Sequence, residues 1–445
     1  MQALEALRNA WRLPDVRNKL LFTGLILVIY QFAAHVPVIG VDRASLQSLL
    51  EGQAGGIVGV LNLLSGGAVK NFSVIAMGVY PYITASIIFQ LLTPLIPSLE
   101  ALQREPGGQE KIQRYTYYLA IPMAILQAVG QIQIFGQLGG SPIIPGFGSD
   151  LLLTITVIAT MTAGTMFAIW LGDLITEQGI GNGLSIIIFS GIVANAPTNL
   201  YQLLTTTTQP IFNLIVFIVI TLVSVVGIVV IQEGVRRIPV QYGKRVRGRK
   251  QYGGASTHIP LRVNPVGMIP LIFSQSIITF PAIIVSLFPP GGPGSFGDQI
   301  TQAFGNNQGL AYWGTFFLLT VGFTFFYSET MVANQNLAEN LQRQGGFIPG
   351  IRPGKRTQEY IVRVTRRITL IGALFLGIIA IVPGIVDLLN RILFPTETVG
   401  GASSSTNAAL VLSGSGLIIV VGVVIDTLRQ LEAQLVMRNY EGFMR

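Results

Sequence analysis

Charge is scarce in this chain. Only 11% of its 445 residues are Asp, Glu, Lys or Arg, where a soluble protein carries about a quarter. Cysteine is absent, which excludes disulfides, thiol catalysis and thiolate metal sites. The two histidines, His35 and His258, are too few and too far apart in sequence for a convincing metal site. There is no Gly-rich loop ending in Lys-Ser/Thr, and no paired catalytic carboxylates stand out. The chain therefore reads as a non-enzyme with no catalytic residue, cofactor or metal.

What the chain has instead is apolar length. A mean hydropathy of +0.60 with 51 glycines and 23 prolines fits a polytopic membrane protein, where both residues are tolerated inside helices. Crossing the hydrocarbon takes about 20 apolar residues per helix, and lipid offers backbone groups no partner outside a helix or closed barrel. Ten stretches qualify: 20–38, 73–97, 115–137, 151–172, 184–200, 211–232, 265–288, 311–329, 368–388 and 408–428. The fifth and tenth are the weakest, because Asn195 and Pro197 interrupt one and Ser413-Gly414-Ser415-Gly416 opens the other. Met1 to Leu20 reads as an amphipathic basic segment without a small-residue cleavage site.

The few charges are sorted by side. Arg8, Arg12, Arg17 and Lys19 precede the first span, and Arg104, Lys111 and Arg114 lie between the second and third. The fourth-to-fifth connection has none. Arg236, Arg237, Lys244, Arg245, Arg247, Arg249, Lys250 and Arg262 crowd the loop at 232–262, between the sixth and seventh spans. Arg343, Arg352, Lys355, Arg356, Arg363, Arg366 and Arg367 lie between the eighth and ninth, and Arg429, Arg438 and Arg445 in the tail. The opposite side has Arg43, Lys70 and Arg391, a split of 25 to 3. The positive-inside rule then puts both termini in the cytosol, and one missed span would scramble the alternation.

Other stretches leave alternatives open. Ile57 to Leu64, flanked by paired glycines, is too short to cross; an interfacial loop helix and a segment buried in protein fit it equally. Two five-span halves meeting near 196–210 would be inverted relative to each other, as in many transporters, though no internal repeat is evident. In Gly78-Val79-Tyr80-Pro81-Tyr82-Ile83, Val79 and Ile83 share a helical face, and the pattern favours a kinked, packed span. Gly179-Ile180-Gly181-Asn182-Gly183 favours turn chemistry over an anion nest. Gly346 to Gly354 would hold Arg352 at a stiff loop tip, as a docking contact or as a solvated turn. Glu233, Glu329, Asp387 and Asp426 lie near span ends, none clearly at mid-depth, which weakens an ion-coupled transporter. Gln90, Asn264 and Gln275 suit contacts between helices, or ordinary packing hydrogen bonds.

Five pieces, in order, resemble the SecY family: Asn62-Leu63-Leu64-Ser65-Gly66-Gly67-Ala68, Tyr82-Ile83-Thr84-Ala85-Ser86-Ile87-Ile88, Thr176 to Gly183, Ser256-Thr257-His258-Ile259-Pro260-Leu261 and Phe347 to Gly354. The resemblance covers essentially the whole chain. It implies an all-α membrane protein of ten transmembrane helices, in two pseudo-symmetric five-helix halves around an hourglass pore. The halves would be 20–200 and 201–428, with cytosolic segments at 1–19, 232–262, 338–367 and 429–445. It implies a plug at 57–70, including Ile57, Val58, Val60, Leu61, Asn62, Leu63, Leu64, Ser65, Gly66 and Gly67. By motif, a waist of apolar side chains maps onto Val79, Ile83, Ile188, Ile272 and Ile419, the last least securely. Position 79 holds Val where the family often has Ile.

The resemblance further implies a channel for unfolded secretory polypeptides, which opens sideways between the second and seventh spans to pass hydrophobic segments to lipid. Ser86 and Gln90 would face Asn264 and Gln275 across that gate, with Gln90 and Asn264 expected to bond across it. The basic loops would dock the motor ATPase SecA or the ribosome, through Arg236, Arg237, Lys244, Arg245, Arg247, Arg249, Lys250 and Arg352. SecE and SecG would complete the complex, in a bacterial-type plasma membrane or a thylakoid membrane. A secondary transporter with inverted repeats is the main alternative, and an insertase or scaffold without a pore a second.

Overall fold

A computed structural model describes residues 13–46, 65, 67–139, 142–206, 210–242, 245–247, 250–252, 256–286, 296–305, 310–334, 337–393 and 416–434. A helix lies in each of the ten stretches expected to span. They are α1 (Pro14–Ala34), α2 (Tyr80–Leu92), α4 (Gly108–Gly139), α5 (Leu151–Gln178), α6 (Gly183–Thr206), α7 (Pro210–Glu233), α8 (Ile269–Ser286), α10 (Leu310–Asn334), α12 (Lys355–Leu393) and α13 (416–434). Shorter helices among the described residues include α3 (Pro97–Arg104), α9 (Phe296–Gly305) and α11 (Leu337–Arg343), and residues 43–46 are helical as well. Five stretches are long and apolar enough to cross alone, within α1, α4, α5, α12 and the α10–α11 region. The α2–α3 pair adds a sixth, and α6, α7 and α8 carry shorter apolar lengths.

Local chemistry explains the ends. Pro14 starts α1, where its missing donor costs nothing, with Asp15 in the first turn. Asp150 caps α5, its carboxylate accepting from the amides of Leu152 and Leu153 at 3.0 and 3.4 Å. The fifth expected span does not stop at Asn195 or Pro197; α6 runs through both. The second departs from expectation. Residues 74–79 are turns, with Gly78 at φ +52°, helix begins only at Tyr80, and α3 bends away from α2 by 105°. Gly78 takes a left-handed turn that other residues avoid, and Pro97 opens α3 after the break.

The body is all helix, but the large basic loop is not a simple loop. Val235–Tyr242 (β1) pairs antiparallel with Ser256–Arg262 (β4), from Val235 opposite Arg262 to Gln241 opposite Ser256. Between them Arg245–Arg247 (β2) and Lys250–Tyr252 (β3) form a hairpin. Gly346–Phe347 (β5), from the other basic loop, adds to β1 through Gln241 and Tyr242. Ile238 and Val240 are buried beside Leu261, Leu341, Ile348 and Ile361, while Arg236 and Arg237 are exposed. The period-two pattern of Ile238 and Val240 was the available strand signal; the charges around it masked it.

Most buried apolar side chains form one cluster that runs through the helices, and Val16, Ile180 and Leu431 form a small one where α1, the 179–183 turn and α13 meet. Gly164 of α5 lets the 74–79 turns approach closely, since a Cβ there would lie 2.1 Å from the Val74 carbonyl oxygen. Gly314 of α10 has nothing within 4 Å. We expect Gly164→Ala to lose about 1–3 kcal/mol through overpacking, and Gly314→Ala to match or exceed the parent by about 0.5–1 kcal/mol. Thermal unfolding of detergent-purified protein checks this; equal midpoints for Gly164→Ala and the parent would contradict the close approach.

Candidate functional site

Five branched aliphatic side chains come into the main buried cluster from four elements. Val79 caps α2, Ile83 lies one turn on, and Ile188, Ile272 and Ile419 come from α6, α8 and α13. Each is less than 8% exposed. Ile83, Ile188, Ile272 and Ile419 lie on helix faces packed against other elements, and Val79 lies in the turn that enters α2.

The segment ahead of α2 is pinned from several sides. Of the expected plug at 57–70, Ser65 and residues 67–70 are described, while Ile57, Val58, Val60, Leu61, Asn62, Leu63, Leu64 and Gly66 lie outside the described residues. The buried Tyr30 hydroxyl of α1 donates to the Ser65 carbonyl at 2.6 Å. Gly67 has φ +94°, and a Cβ there would meet the Asn195 amide nitrogen at 2.4 Å. Ala68–Asn71 is a single 3-10 turn, and Ala68, Val69 and Phe72 are fully buried. Phe72 itself takes φ +43°, rare for a bulky residue, and meets Phe135 edge-on at 5.7 Å. The Val38 amide donates to Phe72 and the Val74 amide to Val36, at 3.0 and 2.9 Å. Burial lowers the Lys70 ammonium pKa. Nearby, hydrogen bonds from Ser45 and the Ala44 amide hold the Asp42 carboxyl below its ordinary range.

The seam where α2 meets α8 corrects two expectations. Gln90 does not reach across; its amide donates to Ser86 one turn back on α2, at 2.9 Å. Asn264 closes the turn before α8, donating to the Gly267 carbonyl at 2.8 Å and accepting from its amide at 3.1 Å. Each found a partner close in sequence, which is cheaper in entropy than a distant one. Gln275 does join helices, but in the other direction, donating to the Tyr312 hydroxyl of α10 at 3.0 Å. What crosses the seam is Tyr80 of α2, whose hydroxyl donates to the Ser276 carbonyl of α8 at 2.8 Å. Thr84 accepts from Gln127 of α4 at 3.2 Å. Gly130 of α4 fits against Ile283 of α8, where a Cβ would lie 2.6 Å from a methyl carbon. A buried tyrosine in an apolar run needs a partner for its hydroxyl, and that was the signal for Tyr80.

The 179–183 turn is full of protein contacts. The Ile180, Gly181, Gly183 and Ser185 amides donate to Thr23, Gln430, Thr176 and Asn182, at 3.3, 2.8, 2.9 and 3.2 Å. These donors are spoken for, so the turn joins α1, α5 and α13 instead of binding an anion. Arg429 of α13 donates to the Gln232 carbonyl at 3.1 Å and to Glu233 at 2.7 Å, tying α13 to the end of α7.

The basic surface gathers around the sheet. Arg236, Arg237 and Arg262 are exposed on β1 and β4. Arg247 opposes Lys250 in the β2–β3 hairpin; the side chains of Arg245, Arg247 and Lys250 lie outside the described residues, as do Lys244 and Arg249 altogether. Arg352 is exposed in a turn built by Gly350 at φ +81° and Gly354 at φ +104°, and its carbonyl accepts from the Thr357 hydroxyl at 2.9 Å. Among the described residues Arg236, Arg237 and Arg352 form no ion pair, whereas Arg343 pairs with Glu339 and Arg366 with Glu329. Also among the described residues, no three His, Asp or Glu side chains group to hold a metal.

The SecY family model matches residues 73–428. The protein translocase subunit SecY of Streptomyces galbus is 41% identical over 99% of this chain and all of that relative. Two solved structures share the fold at lower identity. One, described by the plug domain of the SecY protein stabilising the closed channel, is 18% identical with a TM-score of 0.61. The other, Sec61 in a canine ribosome-channel complex, is 17% identical with a TM-score of 0.57. Both matches cover 94% of this chain and 92% of the other.

The sheet makes a direct prediction. Ile238→Asp would place an unpaired carboxylate beside Val240, costing several kcal/mol. Limited proteolysis within 232–262 is expected to speed up at least roughly tenfold. Arg237→Asp, on the exposed face, should leave the rate unchanged, and equal rates for both variants would mean the sheet does not hold this loop.

Proposed function

The chain belongs to the SecY family, and on that premise we propose that it is the central channel through which unfolded secretory polypeptides cross a membrane and hydrophobic segments pass sideways into lipid. The observation that carries this beyond the family is the shared burial of Val79, Ile83, Ile188, Ile272 and Ile419. A conduit for many different chains cannot offer specific pockets. Branched apolar side chains can part around a polypeptide and close behind it. They exclude water and ions by dewetting and hold no charge to trap a polar segment.

In this reading 57–70 is the plug that stoppers the pore from outside, and the Tyr30 bond to Ser65 supports it by anchoring the C-terminal end of that segment. The side gate is the α2–α8 seam, between halves 20–200 and 201–428. Both termini and the basic sheet face the cytosol of a bacterial-type plasma membrane, in keeping with the 25-to-3 sorting of charge. The chain itself catalyses nothing, and translocation is driven by a partner, SecA or the ribosome, with SecE and SecG completing the complex. Arg236, Arg237 and the Lys244–Lys250 cluster offer phosphate contacts to ribosomal RNA, which would weaken as salt rises. Arg352, exposed, without an ion pair and on a pinned turn, suits a motor contact. A secondary transporter gains no support from the comparisons.

Deleting 57–70 should make reconstituted vesicles leak ions; a transporter or a poreless scaffold predicts vesicles as tight as with the parent. Arg352→Ala should abolish SecA-driven export while the complex still assembles, and normal export would remove Arg352 from the motor contact.

A further inference from the structure

We propose that the Tyr80 hydroxyl is a latch that couples the α2–α8 seam to the apolar waist, so that parting the seam and loosening the seal are one event. This rests on the reading of the chain as a channel that opens between these helices.

The position of the bond carries the argument. Tyr80 directly follows Val79 and lies three residues before Ile83 on α2. Ser276 lies one turn after Ile272 on α8, and its own hydroxyl donates to the Ile272 carbonyl at 2.9 Å. The 2.8 Å bond from the Tyr80 side chain to the Ser276 carbonyl therefore ties α2 to the α8 backbone, at residues next to or one turn from the waist positions of each helix. On its other flank α2 is held to α4 by Thr84 and Gln127, within the same half. If the halves separate, the Thr84 bond can persist while the Tyr80 bond must break.

The surroundings set the condition for breaking it. Tyr80 is 3% exposed and Ser276 fully buried. A hydroxyl stripped of its partner in such a place bears its full desolvation penalty. The seam thus stays shut until an incoming group replaces the bond. A polypeptide backbone entering the seam can do so, because its carbonyls accept from the Tyr80 hydroxyl. Pro281 helps from the α8 side. It lacks the amide that would bond the Ile277 carbonyl, so α8 is softened next to Ser276.

The test is Tyr80→Phe, which keeps the ring and removes the latch. In vesicles holding the full complex, ion leak should rise about fivefold, and a secretory precursor with a polar-weakened signal segment should be exported by SecA about fivefold faster. Tyr312→Phe, which takes the hydroxyl from Gln275 between α8 and α10, should change neither. A rise in only one of the two readouts overturns the coupling. If the parent exports the precursor and Tyr80→Phe matches it in both, the latch is wrong and the channel reading stands. If the parent exports nothing, the channel reading fails.

Discussion

Hydrocarbon gives a backbone amide or a charge nothing to bond, and the architecture follows from that. Among the described residues, the long apolar stretches close their own hydrogen bonds as helix. Breaks such as the 74–79 turns are buried against neighbouring helices, where Val36 and Ser73 supply backbone partners. Among the described residues, strands appear only in the basic loops between spans, where water can satisfy an edge. α12 illustrates the division within one element. Its 39 residues reach roughly 58 Å at 1.5 Å per residue, about twice the hydrocarbon thickness. The surplus is the first turns, which hold Lys355, Arg356, Arg363, Arg366 and Arg367.

The same constraint decided what could be read without coordinates. Span positions were legible, because twenty apolar residues admit few other fates. The charge asymmetry carries the proposed orientation on its own. The five positions that family motifs assign to a waist each belong to the main buried cluster, and their role as a seal is the proposal made above. Polar partners were not legible. A glutamine in a span needs a hydrogen bond, but its sequence position cannot say whether the partner is a turn away, as Ser86 is for Gln90, or on another helix, as Tyr312 is for Gln275. The Tyr80 partner was illegible for a related reason. The glycine and proline beside Tyr80 signal backbone shape, and nothing in the motif fixes which helix receives the hydroxyl.

Close contacts are made here by small residues more than by complementary charges. Gly164 admits Val74, Gly130 admits Ile283, and Gly183 lies against the Gly172 carbonyl oxygen. Glycine lets backbones approach without demanding a partner, which suits surfaces that must slide. The 179–183 turn is different. Its amides are committed to Thr23, Thr176 and Gln430, and a junction so fully bonded is suited to stay fixed while other parts move.

The β1–β5 pairing joins two loops about a hundred residues apart in sequence. β1 continues directly from α7 and β4 leads towards α8, while β5 lies between α11 and α12. A push on the turn at Arg352 is therefore not confined to one loop. It reaches β1 through two residues of ladder, and from there the ends of α7 and α8. Mechanically the sheet is a yoke: several helices share one handle, and any force applied to it is divided among them.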